Sequence, residues 1–229
     1  MGHKKRGYKR DTPLGLVRDY KLFAIACEGG KREPDYFNVF QYLSRKIKVD
    51  VIENCVTDNE MFRKHEQNSA PKWVLDRAIR YIEKNDLKDE DDLWFVIDKD
   101  RWSDIQIREL ATFCSEFPNW HLVVSNPCFE VWLFFHKKAD IKASISVSCN
   151  DFKKEISSFE KGGYHPLKFI PDFQKAIVNA KANDSDVQHF MPKINETKVY
   201  QLGEAILAEV HNTDILEFIN VTIPRLIKS

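Results

Sequence analysis

Four segments of strand length dominate the first part of the chain: the apolar run KLFAIAC (21–27), the alternating, β-branched VDVIENCV (49–56), and the runs DLWFVID (92–98) and WHLVVSN (120–126). Between them, apolar residues recur at helical rather than alternating spacing. Tyr36, Phe37, Phe40, Tyr42 and Leu43 do so over about 34–46, and Trp73, Leu75, Ile79 and Ile82 do so after Ser69 and Pro71. Ser103 with Gln106 has the spacing of a capping box and opens a third helix to about Phe117. Pro127 starts a fourth, CFEVWLFFH. A run that is apolar at successive positions suits a strand buried on both faces, and a helix after each strand is the crossover of a parallel sheet.

The expected fold is therefore α/β: a mostly parallel four-stranded sheet flanked by helices over 21–140. Beyond residue 140 strand signals stop. KKEISSF, DFQKAIVNAKA and QLGEAILAEV read as helices, with Gly162, Gly163 and Pro166 in a loop, so 141–229 is expected to be a helical region packed on the core. Residues 1–20 form a basic arm with Lys4, Lys5, Arg6, Lys9 and Arg10, either a solvated tail or a phosphate-contacting arm.

Lys+Arg and Asp+Glu are equal at 35 each, so any contact with nucleic acid must be a local patch rather than a bulk basic field. The five cysteines are scattered without a CxxC pair, which suits reduced thiols in a cytoplasm. The basic N-terminus lacks the apolar stretch of a signal peptide, and no run approaches the roughly 18 apolar residues of a membrane span. A soluble, cytoplasmic protein is expected. GGKRE is not a P-loop, and neither GxSxG nor HExxH occurs.

In open α/β sheets, ligands bind outside the carboxyl ends of the strands. The first and third runs here end in acids, Glu28 and the pair Asp98 and Asp100. Two carboxylates two positions apart on an extended backbone share one side and repel unless a cation lies between them, and oxygen ligands suit Mg²⁺ or Mn²⁺. If the first and third strands are neighbours, Glu28 joins them. The alternative for Asp98 and Asp100 is a solvated acidic loop, like Asp89–Asp92. Gly29 and Gly30 would let the backbone turn sharply, and Glu33 falls in the first turn of the next helix, where a carboxylate is also favourable for the helix dipole. Glu130 lies within an apolar helix and needs a wet face, an ion pair or a metal. His136 on the same helix reads as a satisfied structural histidine.

The blocks CEGGKREPDYF (27–37), VIDKDRW (96–102) and SNPCFEVWLFFH (125–136), with a weaker PKINETKVYQL (192–202), resemble the RloB-like family of abortive-infection proteins, whose catalytic domain is similar to a Toprim fold. The resemblance implies a metal-dependent nuclease. It implies Glu28 as the general acid/base or metal ligand, Asp98 and Asp100 as a metal-binding pair, and Glu33 and Glu130 as additional acids. Lys168, in YHPLK, resembles a family lysine near the site, though it also reads as a surface lysine. Arg32 stands where the family often has Thr. Lys31, Arg32, Arg101 and Trp102 are expected to contact nucleic acid, with Trp102 either stacking on a base or forming plain core. The resemblance further implies an OLD/AAA-type ATPase partner in phage defence. The alternative is a regulatory partner subunit of such an ATPase with little or no catalysis.

Overall fold

The computed structural model describes residues 18–52, 70–85 and 87–228. Most of the basic arm, together with Cys55 and the capping position Ser69, lies outside the described residues.

Strands β1 (Lys21–Cys27), β2 (Ile47–Val51), β3 (Asp92–Asp98) and β4 (Trp120–Asn126) are all parallel. The sheet has five strands rather than four, in the order β2-β1-β3-β4-β5. The extra strand, β5 (Glu196–Thr197), runs antiparallel to β4. Two residues are too few to show any period, which is why sequence pattern does not reveal it. Tertiary bonds place it instead: the Ser125 and Thr197 hydroxyls meet at 2.7 Å, and the Lys198 N–H donates to the Val124 carbonyl at 2.8 Å.

The helices are α1 (Arg32–Asn38), α2 (Ala70–Lys84), α3 (Asp104–Cys114), α4 (Glu130–Lys137), α5 (Cys149–Ser158), α6 (Pro166–Phe169), α7 (Phe173–Ala182), α8 (Val199–Ala208), α9 (Asn212–Glu217) and α10 (Ile223–Lys228). The helical spacing over 34–46 resolves into α1 followed by a 3₁₀ turn, Val39–Tyr42. The capping box is formed: the Ser103 side chain accepts from the Gln106 N–H, and the Gln106 side chain accepts from the Ser103 N–H. No described helix is long and apolar enough to cross a membrane.

Side chains alternate across β1 and sort into two cores. Phe23, Ile25 and Cys27 join Tyr36, Phe37, Trp132 and Phe173 on one face. Ala24 and Ala26 face Val74 and Ala78 of α2 and Leu110 of α3 on the other. Helices thus cover both faces, which is why the strand runs are apolar at nearly every position. Helix α4 is buried all round, from Val131 to His136. His136 is satisfied there. A carbonyl can only accept, so Nδ1 donates to the Trp132 oxygen (3.1 Å) and Nε2 accepts from the Tyr36 hydroxyl (2.8 Å). Burial pushes the His136 pKa down to about 3 and keeps the ring neutral.

The acidic turn before β3 is solvated only in its first half, where Asp89 and Glu90 are exposed. Asp91 is fully buried, accepts from the Leu22 and Lys88 N–H groups (2.9 Å each) and pairs with Arg18. It clamps the entry of β1 to the entry of β3.

Candidate metal centre

Strand order reverses between β1 and β3, because β1 continues outward to β2 while β3 and β4 build on its other side. Glu28 and Asp98 stand at the carboxyl ends of those two neighbours, so the condition for their meeting is met. The Glu28 N–H donates to the Val96 carbonyl at 3.0 Å, carrying the ladder one residue past β1. Its carboxylate accepts the Asp98 N–H at 3.0 Å through Oε2 and the Trp102 indole N–H at 2.7 Å through Oε1. The loop after β3 is pinned as well. Lys99 N–H donates to Ser125 O (2.8 Å), Asp100 N–H to Pro127 O (3.0 Å), and the Lys99 ammonium reaches Trp102 O and Asp104.

Glu33, in the first turn of α1, is buried with its carboxylate against the backbone of Gly29. A Cβ at residue 29 would overlap that carboxylate. Gly29 is not in the left-handed region, so what the position requires is room for Glu33 rather than a sharp turn. Glu130 opens α4, is buried, and is held by the guanidinium of Arg32. Arg32 also lies over the Tyr164 ring, 5.1 Å from its centroid. Asp100 accepts from the Cys149 thiol at 3.3 Å.

The charges in this cluster oppose one another. Burial, then Glu33, Glu28, Glu130 and Asp100, hold the Asp98 carboxyl well above the usual range. Burial, reinforced by Glu130 and Glu28, raises Glu33 to about 6. Burial raises Glu28 too, despite two hydrogen bonds that favour its ionised form. A cluster of desolvated carboxylates that raise one another's pKa is the donor set a hard divalent cation stabilises, so the residues present fit Mg²⁺ or Mn²⁺. As they stand, no group of three or more acids, histidines or cysteines among the described residues is arranged to hold a metal. Glu28 is engaged by Asp98 and Trp102, and Glu130 by Arg32. A carboxylate offers about four lone-pair sites, so the two bonds to Glu28 leave capacity for a cation.

All five acids line one cleft of about 1160 Å³. Lys31, Arg32 and Arg101 line it too, joined by Lys153 and by Tyr164 and His165 of the YHPLK segment. Arg101 is mostly exposed, its Nε 3.9 Å from Asp100. The Trp102 ring is partly buried against the second core, and its N–H is given to Glu28. Lys168 is not brought to the carboxylates. Its ammonium is held by the Lys161 carbonyl, and it does not line the cleft. Cys149 is another residue that sequence reading passed over, since a lone thiol before a helix carries no signal.

A mostly parallel sheet covered on both faces, with a polar cleft at its switch point, defines the doubly wound α/β class. The sequence matches the family described as RloB-like protein over residues 23–206, and the chain belongs to that family. No curated protein and no solved structure matches it.

Proposed function

We propose that the chain is a divalent-metal-dependent nuclease hydrolysing phosphodiester bonds of DNA or RNA. The observation that carries this reading is the gathering of Glu28, Glu33, Asp98, Asp100 and Glu130 in one cleft at the switch point, with Lys31, Arg101 and Lys153 exposed around them. The RloB-like resemblance supports a Toprim-like site, an effector role in phage defence and an OLD/AAA-type ATPase partner.

Asp98, Asp100 and Glu28 would hold Mg²⁺ or Mn²⁺. Such an ion supplies neutralisation of the charge developing on the phosphoryl group and lowers the pKa of a water. Glu33, kept in place by Gly29, orients that water and takes its proton. The water oxygen would bond to phosphorus as the bond to the leaving sugar oxygen breaks and that oxygen takes a proton from solvent, so one end would keep the phosphate and the other a hydroxyl. Lys31, Arg32, Arg101 and Lys153 would bind phosphate oxygens along the strand. Trp102 positions Glu28.

A second reading, a regulatory partner subunit of the ATPase, is favoured by the engagement of Glu28 and Glu130 with protein groups rather than with an open site. Incubating the protein with plasmid, single-stranded DNA and tRNA, with and without Mn²⁺, separates the two. Mn²⁺-dependent cleavage that disappears in Asp98→Asn and Asp100→Asn supports the nuclease. No cleavage of any substrate, together with stable ATPase binding, supports the partner.

A further inference from the structure

Arg32 and Glu130 come from different helices and meet at the edge of the carboxylate cluster. The Glu130 side chain is 4% exposed, that of Arg32 28%, so the carboxylate is shut off from solvent while the guanidinium has a path to it. A buried carboxylate left without a partner is costly, and Arg32 supplies the opposite charge that Glu130 meets here. Another base beside the cluster, Arg101, reaches Asp100 only at 3.9 Å and is 77% exposed.

The seat of Arg32 is incomplete. Its guanidinium lies over the Tyr164 ring, and the Tyr164 hydroxyl is buried without a hydrogen-bond partner. An unsatisfied buried hydroxyl costs on the order of 1–3 kcal/mol. Tyr164 lines the cleft, and the charges of Arg32, Asp35, Glu33 and Glu130 act on its hydroxyl. A guanidinium presents a planar fork of donors that suits a carboxylate and a phosphate equally well.

We propose that Arg32 is a displaceable stand-in for the divalent cation at Glu130. Arg32 holds Glu130 until the site takes up a cation. Glu130 then turns to the cluster as a further ligand, and the freed guanidinium, with the uncovered Tyr164 hydroxyl, binds a phosphate oxygen of the nucleic acid. Glu130 is never left unpaired in this exchange. The inference rests on the metal-site reading given above.

The test is calorimetric titration with Mn²⁺ alone on wild type, Arg32→Met, Glu130→Gln and the double variant, each checked for folding by its melting curve. Arg32→Met is expected to bind Mn²⁺ roughly three- to tenfold more tightly, and Glu130→Gln at least about threefold more weakly. In the Glu130→Gln background, removing Arg32 is expected to add nothing, which is the coupling a double-mutant cycle reads. A gain of equal size in both backgrounds overturns the proposal, because Arg32 then acts only through its general field. Absence of any gain overturns it as well. If Arg32→Met does not fold, Arg32→Lys takes its place. A single ammonium holds Glu130 less firmly, so an intermediate gain is expected, and affinity equal to or below wild type overturns the proposal. Wild type that fails to bind Mn²⁺ removes the metal site itself, whereas binding without coupling removes only the role of Arg32.

Discussion

The side-chain carboxylate of Glu28 accepts the main-chain N–H of Asp98 at 3.0 Å, so the acid that follows β1 sets the position of the acid that ends β3. With the Trp102 indole on its other oxygen, Glu28 ties together both strand ends and the loop beyond them.

Glu28→Ala leaves the Asp98 N–H and the Trp102 N–H without their acceptor. Chelator-treated protein is expected to lose about 1–3 kcal/mol of stability. Glu28→Gln, which keeps one acceptor oxygen, is expected to lose less. Denaturant unfolding of both variants checks this, and an unchanged midpoint for the alanine variant would show that these bonds hold nothing in place.

Asp98 is destabilised by burial and by four neighbouring carboxylates. Asp98→Asn keeps the shape and removes the charge. It is expected to raise the melting temperature of chelator-treated protein at neutral pH while weakening Mn²⁺ binding at least about tenfold. Gain of stability with loss of binding marks a residue kept for function. A less stable variant with unaltered Mn²⁺ affinity contradicts the site.

The pH dependence of stability carries a sign that Glu33 shares with Glu28 and Asp98, whose carboxyls burial also raises. Its folded pKa, about 6, lies above the ordinary 4.5, so the proton binds more tightly in the folded chain. The stabilisation is fully present below about pH 4.5 and is lost as pH rises through 6, amounting to about 2 kcal/mol. His136 acts oppositely: its folded pKa is low, so stability falls as pH drops below 6.5 and the unfolded ring takes a proton. Wild type alone therefore mixes the two. The excess stability of Glu33→Gln over wild type is expected to grow from near zero at about pH 4 to about 2 kcal/mol at about pH 8, and to shrink in saturating Mn²⁺. Thermal melts across pH measure it; a flat difference removes the assignment.

Asp91 supports the opposite end of the sheet from the cleft. Asp91→Ala strands the Leu22 and Lys88 N–H groups and leaves Arg18 unpaired. A loss of about 3–5 kcal/mol is expected, with Mn²⁺ affinity kept below the lowered melting temperature. Calorimetry on the folded variant decides whether that separation holds.

Much of this molecule was legible in its sequence. β1, β3 and β4 could be read because a strand covered on both faces must be apolar at nearly every position. Glu28, Asp98 and Asp100 stood out because acids directly after such runs fall at carboxyl ends of strands. Periodicity along the chain records burial, and burial is what these patterns report.

Tertiary structure alone decided what crosses between elements. That β1 lies beside β3 depends on sheet order, which no local pattern encodes, and it is this neighbourhood that turns separate acids into one cluster. The partner of Glu130, the hold of Trp102 on Glu28 and the burial of Asp91 against Leu22 all join residues distant in sequence. Lys168 shows the converse: a basic residue in a suggestive segment whose ammonium is turned to the Lys161 carbonyl. The sequence by itself determined which apolar residues are buried and which acids end the strands. Packing between elements decided which of those acids face one another, because a side chain's charge partner is set by the helix or strand brought against it.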